Sequence, residues 1–161
     1  MNNAAAVSGR VASLHLHPSE PGECLKSVQE IQLIEAKGIA GEPRYFGRVS
    51  RETSQPSRRQ VTLIEREQIA AHAHSLGLGC IPPGAVRSNV ETTGLDLVSL
   101  IGRQIEIGES LLYVYGPREP CAKMDAICQG LRERMKNNRQ GVLAEVRRSG
   151  WIRVGDEIRV A

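Results

Sequence analysis

The sequence predicts a mainly β fold, a closed or partly closed β-barrel with α-helices packed on its outside. Three observations carry that expectation. Short segments of alternating apolar and polar residues recur along the chain, most of them followed by glycine, proline or another turn former, which is the pattern of half-buried strands. Only two segments show the three-to-four-residue apolar spacing of a helix. The 161 residues are enough for one domain with a sizeable core and leave no room for two, and many short strands in one sheet escape exposed edges by closing on themselves. The alternative is an open α+β sheet.

Ala12, Leu14 and Leu16 alternate with Ser13, His15 and His17 as a first strand. A second covers residues 28–35, with Ile31 and Leu33 on one face. Residues 48–60, with Ser50, Thr53, Ser54, Pro56 and Ser57, read as a mobile loop. Residues 61–64 are a short apolar strand, and 65–76 turn helical, with Ile69, Ala73 and Leu76 on one stripe and Gly77 as the stop. Pro82-Pro83-Gly84 opens a turn into a strand over 86–91, where Val86, Ser88 and Val90 take one face and Arg87, Asn89 and Glu91 the other. Strands over 104–107 and 111–115 join through Gly108-Glu109-Ser110 as a hairpin. Met124, Ile127, Leu131 and Met135 give one helix from Cys121 to about Met135, followed by a charged turn over 136–141. Val142, Ala144 and Val146 mark another strand, and Ile152, Val154, Ile158 and Val160 a last hairpin. No segment repeats.

Apolar types make up 40% of the chain and charged types 24%, the composition of an ordinary globular protein rather than a disordered one. No apolar run approaches the ~20 residues that span a bilayer, and Met1-Asn2-Asn3-Ala4-Ala5-Ala6 lacks the cationic start and long apolar core of a secretory signal. The expectation is a cytoplasmic protein that does not enter membranes. A net charge of +3 is too mild to imply nucleic acid, and five aromatic residues make a poor base-stacking platform. The basic residues are nevertheless uneven: Arg44, Arg48, Arg51, Arg58 and Arg59 face only Glu42 and Glu52 in the same stretch. Such a run reads either as a solvated loop or as an anion-binding rim.

The four cysteines, Cys24, Cys80, Cys121 and Cys128, show no CxxC or zinc-knuckle spacing and are expected as free thiols in a reducing compartment. Cys121 stands apart because a strand ended by Gly116-Pro117 gives way there to a helix start, where unpaired backbone donors, with Arg118 and Lys123 beside them, favour a thiolate. Arg87 and Asn89, two apart on one strand, would aim a guanidinium fork and an amide at the same ligand, suited to a phosphate or a planar heterocycle. Lys26 and Ser27, at a loop mouth, can hold a phosphate through a charge-assisted bond. His15 and His17 have no further ligand type at metal spacing and are expected as surface histidines, while His72 and His74, two apart on a predicted helix, point in different directions.

Arg118-Glu119-Pro120-Cys121 resembles the cysteine signature of the MOSC family, the domain related to the C-terminal part of molybdenum cofactor sulfurases. Residues 38–45 (Gly-Ile-Ala-Gly-Glu-Pro-Arg-Tyr), 61–64, Arg87-Ser88-Asn89-Val90, 97–102 and 154–158 agree in that family's order. The resemblance spans about residues 9–160 and implies a single MOSC-like domain over 9–161, with 1–8 as a flexible N-terminus. It also implies binding of the molybdenum cofactor, a pyranopterin, with Arg87, Asn89, Arg44, Lys26, Ser27 and Arg118 as cofactor contacts. Glu42 stands where the family commonly has Asp, with Pro43 inserted before Arg44. Cys121 then has two implied roles: ligand to molybdenum in a reductase supplied by an electron-donating partner, or carrier of a transferable sulfur received from a donor. A non-enzymatic carrier of the pterin is the alternative that dispenses with catalysis, and nucleic-acid binding is the least favoured.

Overall fold

The alternating segments close on themselves. The computed structural model describes residues 8–161, and the strands in chain order are β1 (Ser8–Leu16), β2 (Lys26–Val28), β3 (Glu30–Ile34), β4 (Gly38–Ile39), β5 (Val61–Glu65), β6 (Val90–Thr93), β7 (Gln104–Ile107), β8 (Ser110–Pro117), β9 (Val142–Arg148), β10 (Gly150–Arg153) and β11 (Glu157–Val160). Three helices, α1 (Arg66–Ser75), α2 (Lys123–Ile127) and α3 (Leu131–Arg134), and a 3-10 turn at Val98–Leu100 complete the elements. Neighbours run β11-β7-β8-β9-β5-β6-β1, and β11 pairs back onto β1, so seven strands form a closed barrel. Only β5 and β6 are parallel, which requires a crossover, and α1 lies in that connection. A separate sheet, β10-β3-β4, stands beside the barrel.

The strand of Ala12, Leu14 and Leu16 is present, with one irregularity that the alternation did not show. Its pairing with β6 shifts register between Val11 and Ser13, so Val11 and Leu14 are both buried while Ala12 is only half-buried. Residues 28–35 divide into β2 and β3, and Ile31 and Leu33 point into the core as expected. The β7–β8 hairpin and α1 also match the sequence, with Gly77 just past the helix end at φ 72. β1 begins at Ser8, and the rest of the segment expected to be flexible, residues 1–7, lies outside the described residues.

Three expectations are corrected. The strand expected over 86–91 begins only at Val90, because Arg87 takes φ 67, which no strand accommodates. The last hairpin does not form: β10 pairs with β3, while β11 pairs with β7 and β1, so the turn around Gly155 carries the chain from one sheet to the other. The single helix after Cys121 is two short ones. Cys128 is extended at φ −160, Gly130 is left-handed at φ 93, and the Asp125 carboxylate accepts the N–H groups of Gly130 and Arg132 at 3.2 and 3.1 Å, so the side chain ends one helix and starts the next. The periodicity still identified the inner face, since Met124, Leu131 and Met135 are buried against Ile69 and Ala73 of α1.

Two cores result: one fills the barrel, with Leu14, Leu63, Val90, Ile105, Leu112 and Ala144, and the other lies between the barrel wall and the helices. Residues 48–60 are irregular apart from one bridge between Val49 and Pro56. All four cysteines are free thiols; Cys24, Cys80 and Cys121 are exposed and Cys128 is half-buried. Among the described residues no helix is long and apolar enough to cross a membrane.

Candidate functional site

Asn89, one residue before β6, organises a buried polar knot at one end of the barrel. Its side-chain oxygen accepts the backbone N–H and hydroxyl of Thr62 on β5, at 3.1 and 3.0 Å, and its amide donates to the carbonyl of His15 and to Glu42 Oε1, at 3.0 and 2.9 Å. Asn89 is 2% exposed and its hydrogen-bonding capacity is taken up within the protein. Glu42, likewise buried, accepts from the backbone N–H and from Nδ1 of His17, the latter at 2.9 Å. Both imidazoles of the His15-x-His17 pair are therefore buried, not on the surface as expected. His15 lies between Ser13, Ser27 and Glu91, and Glu91 in turn holds Arg66 at 2.7 Å. Burial is the first cause that holds His15 below the usual histidine range, and the Arg66 charge adds to it, while Glu91 opposes both. Of the second pair, His72 is also buried and its Nε2 donates to the Arg139 carbonyl, 2.8 Å away, while His74 is exposed.

The knot fixes Arg87. His17 Nε2 and Arg118 Nη1 converge on the Arg87 carbonyl, each at 3.1 Å, and hold the residue in the left-handed region. A non-glycine residue there costs about 1–3 kcal/mol and persists where surrounding bonds over-determine it, which is common at functional sites. The guanidinium leans away from Asn89: Nη1 donates to the Glu23 carbonyl at 2.9 Å, and Nη2 is buried without a partner. Arg87 and Asn89 thus do not present side chains to a common ligand from one strand face, as the alternation had suggested. The amide is a structural clamp, and the guanidinium faces the 18–25 loop.

Arg118, just past β8, is 8% exposed, and its Nη1 donates to the Arg87 carbonyl and to Ser88 Oγ, at 3.1 and 3.0 Å. No carboxylate lies within ion-pairing distance of it among the described residues. Burial, with the charges of Arg59 and Arg87 in the same direction, pushes its guanidinium down to about 10, while Cys121 and Tyr45 oppose that fall. A buried cation among other cations is unfavourable unless an anion joins it. Above it the ring of Tyr45 has the guanidinium carbons of Arg44 and Arg59 each 5.4 Å from its centre and the His17 ring edge-on at 5.0 Å. Tyr45, Arg59, Thr62, Asn89, His17 and Glu42 line a small polar pocket.

Cys121 is exposed, and its carbonyl accepts the Met124 N–H at 3.0 Å. Because α2 has only five residues, little of the expected helix-dipole effect remains, and the cation that interacts with this thiol is Arg118. Lys26 and Ser27 alternate on β2: Ser27 Oγ meets His15 Nδ1 at 3.2 Å, Lys26 is exposed, and neither lines this pocket. Arg44 is brought to it through Tyr45. The expectations missed His17, Glu42 and Thr62 as members of the site. Arg59 was signalled only as a member of the basic run that the sequence offered as an anion-binding rim, and it lies just ahead of the buried strand β5.

The pattern that defines the MOSC domain matches residues 36–159. In fold the chain is similar to the YuaD protein of Bacillus subtilis, with a TM-score of 0.80 at 22% identity over 95% of each chain. It is also similar to YiiM of Geobacillus stearothermophilus, with a TM-score of 0.72 at 16% identity over 95% of this chain and 75% of the other. YiiM of Escherichia coli gives a TM-score of 0.65 at 20% identity over 95% and 68%. No curated protein matches the chain in sequence.

Proposed function

The chain belongs to the MOSC domain family, a family associated with the molybdenum cofactor, and from that premise we propose that it binds this cofactor through its anionic phosphate. The observation that carries the reading is Arg118: a guanidinium 8% exposed, flanked by Arg59 and Arg87 and lacking a carboxylate partner among the described residues. A phosphate offers the charge that this cluster lacks, and it accepts the forked donors of arginine. Arg118 and Arg59 would hold the phosphate, Arg44 would add a third cation across the Tyr45 ring, and Tyr45 itself would shield these contacts from water. When bound, the cofactor supplies redox chemistry at its metal. Cys121 offers the soft sulfur that such a metal prefers, and among the described residues no three His, Cys, Asp or Glu side chains converge to hold a bare ion, which suits a metal that arrives already chelated.

A second role for the same thiol is favoured by its exposure. A solvent-facing Cys121 can be reached by another protein's persulfide, take its outer sulfur and leave the donor as a thiol. One preparation separates the two roles. Protein made in cells that synthesise the cofactor is assayed for molybdenum and for cyanide-releasable sulfur, beside Cys121→Ser. Loss of molybdenum in the variant supports ligation, and loss of releasable sulfur from a molybdenum-free protein supports the carrier role. Wild-type protein with neither would overturn both.

A further inference from the structure

A cleft of about 420 Å³, which shares no lining residue with the Tyr45 pocket, is bounded by the 22–25 loop, the 82–87 turn and α2. We propose that this cleft binds a flat apolar organic anion, of the kind of an aromatic carboxylate, and that it does so independently of whether the first pocket holds a cofactor. Its volume is that of a small-molecule site, and Leu25, Pro82, Ala85 and Ile127 give it apolar walls. Its only charged lining groups are Arg87 and Lys123, and no aspartate or glutamate faces it. Neither cation forms an ion pair among the described residues. Arg87 Nη2 is buried without a hydrogen-bond partner, so one donor of the fork is unspent beside an apolar wall. An aromatic body with one anionic group satisfies both features.

The cleft is built rather than incidental. Gly84 in its wall has φ 84, and a Cβ there would come 2.9 Å from His15 Nδ1, so the turn is drawn down onto the buried His15. The Gly84 N–H is bonded to Glu91 Oε2 at 2.7 Å, and Arg87 is pinned through its carbonyl from two sides. Preorganisation of this kind lowers the ordering cost of binding. Cys24, an exposed thiol in the lining, provides a reporter that owes nothing to activity.

The probe is 2-naphthoate, compared by calorimetric titration with the neutral 2-naphthylmethanol on the purified chain. The carboxylate is expected to bind about tenfold tighter, the value of one charge-assisted contact, and to slow alkylation of Cys24 by iodoacetamide at saturating concentration. Ala126→Trp, on the exposed side of α2 that borders the cleft, is expected to abolish naphthoate binding and to leave binding of inorganic phosphate unchanged. Lys123→Gln, also on the surface, is expected to reduce the preference for the carboxylate. Equal affinities for the acid and the alcohol, naphthoate binding that survives Ala126→Trp, or Cys24 alkylation unaffected by the ligand would each overturn the proposal. Failure of phosphate to bind at all would count only against the Tyr45 pocket.

Discussion

Replacing Arg118 by Met tests the anion pocket through stability alone. The guanidinium falls from its ordinary range to about 10 in the folded protein, with burial as the first cause. At about 1.4 kcal/mol per pH unit that is a cost of about 3 kcal/mol. The sign follows from linkage: from about pH 10 upward the unfolded chain holds the proton more tightly, and at neutral pH both states are charged and the full cost is present. Met removes that cost together with two charge-assisted hydrogen bonds, to the Arg87 carbonyl and Ser88 Oγ, worth about 1.5–3 kcal/mol each. Without anions the variant is therefore expected to be between neutral and about 3 kcal/mol less stable than the wild type. Phosphate distinguishes them. At a hundred times its Kd it stabilises the folded wild type by about 2.7 kcal/mol, which raises Tm by about 5–10 °C in a domain of this size, and the variant should show no such rise. Thermal unfolding in phosphate against chloride of matched ionic strength gives the answer. An equal rise in both proteins, or none in the wild type, would refute the argument that Arg118 is a cation waiting for its anion.

Two further outcomes concern the frame of the site. Asn89→Ala leaves Glu42 Oε1, the His15 carbonyl and the Thr62 hydroxyl without their partner, and is expected to lower stability by about 2–4 kcal/mol in urea titrations; a loss below about 1 kcal/mol would show that Asn89 is not the clamp. His15 and His72 are both held below the usual histidine range, first by burial, so the unfolded chain binds more protons as pH falls below about 6.5, and stability should be constant above that pH and drop beneath it. Burial raises the Glu65 carboxyl and acts oppositely at lower pH, so urea midpoints at about pH 7.5 and 6 make the cleanest comparison, and an unchanged midpoint would contradict the histidine assignment.

How legible the fold was depended on the range of the interaction that settles each element. α1 and the β7–β8 hairpin were readable because their stop signals, Gly77 and Gly108, act within a few residues. The break between α2 and α3 was not, although Asp125 and Gly130 are both visible in the sequence. The apolar spacing from Met124 to Met135 persists across the break because the two short helices still face one core. Nor could the last two strands be assigned to different sheets from their own residues. β10 is taken by β3 and β11 by β7, partners that lie 123 and 51 residues upstream in the registers Arg153 with Glu30 and Ile158 with Ile107.

The site shows the same limit in sharper form. Alternation placed Arg87 and Asn89 on one strand face, which presumes that backbone conformation follows from local pattern. At Arg87 it does not, because the carbonyl bonds from His17 and Arg118 reach across 70 and 31 residues and impose a left-handed φ that arginine alone would avoid. That single departure divides the two side chains: the amide turns inward to close the polar knot, and the guanidinium turns toward the Glu23 carbonyl and the cleft beside it. The histidines misread as surface residues belong to the same construction. His17 donates to the strained carbonyl, and His15 is buried against Gly84 of the turn that precedes it. The sequence did place Arg118 beside Cys121, an exposed thiol in the structure. Which of the cations lacks a carboxylate inside the protein is decided only by packing: Arg118 is buried with a carbonyl and a hydroxyl as its partners, and one arm of Arg87 is buried with none.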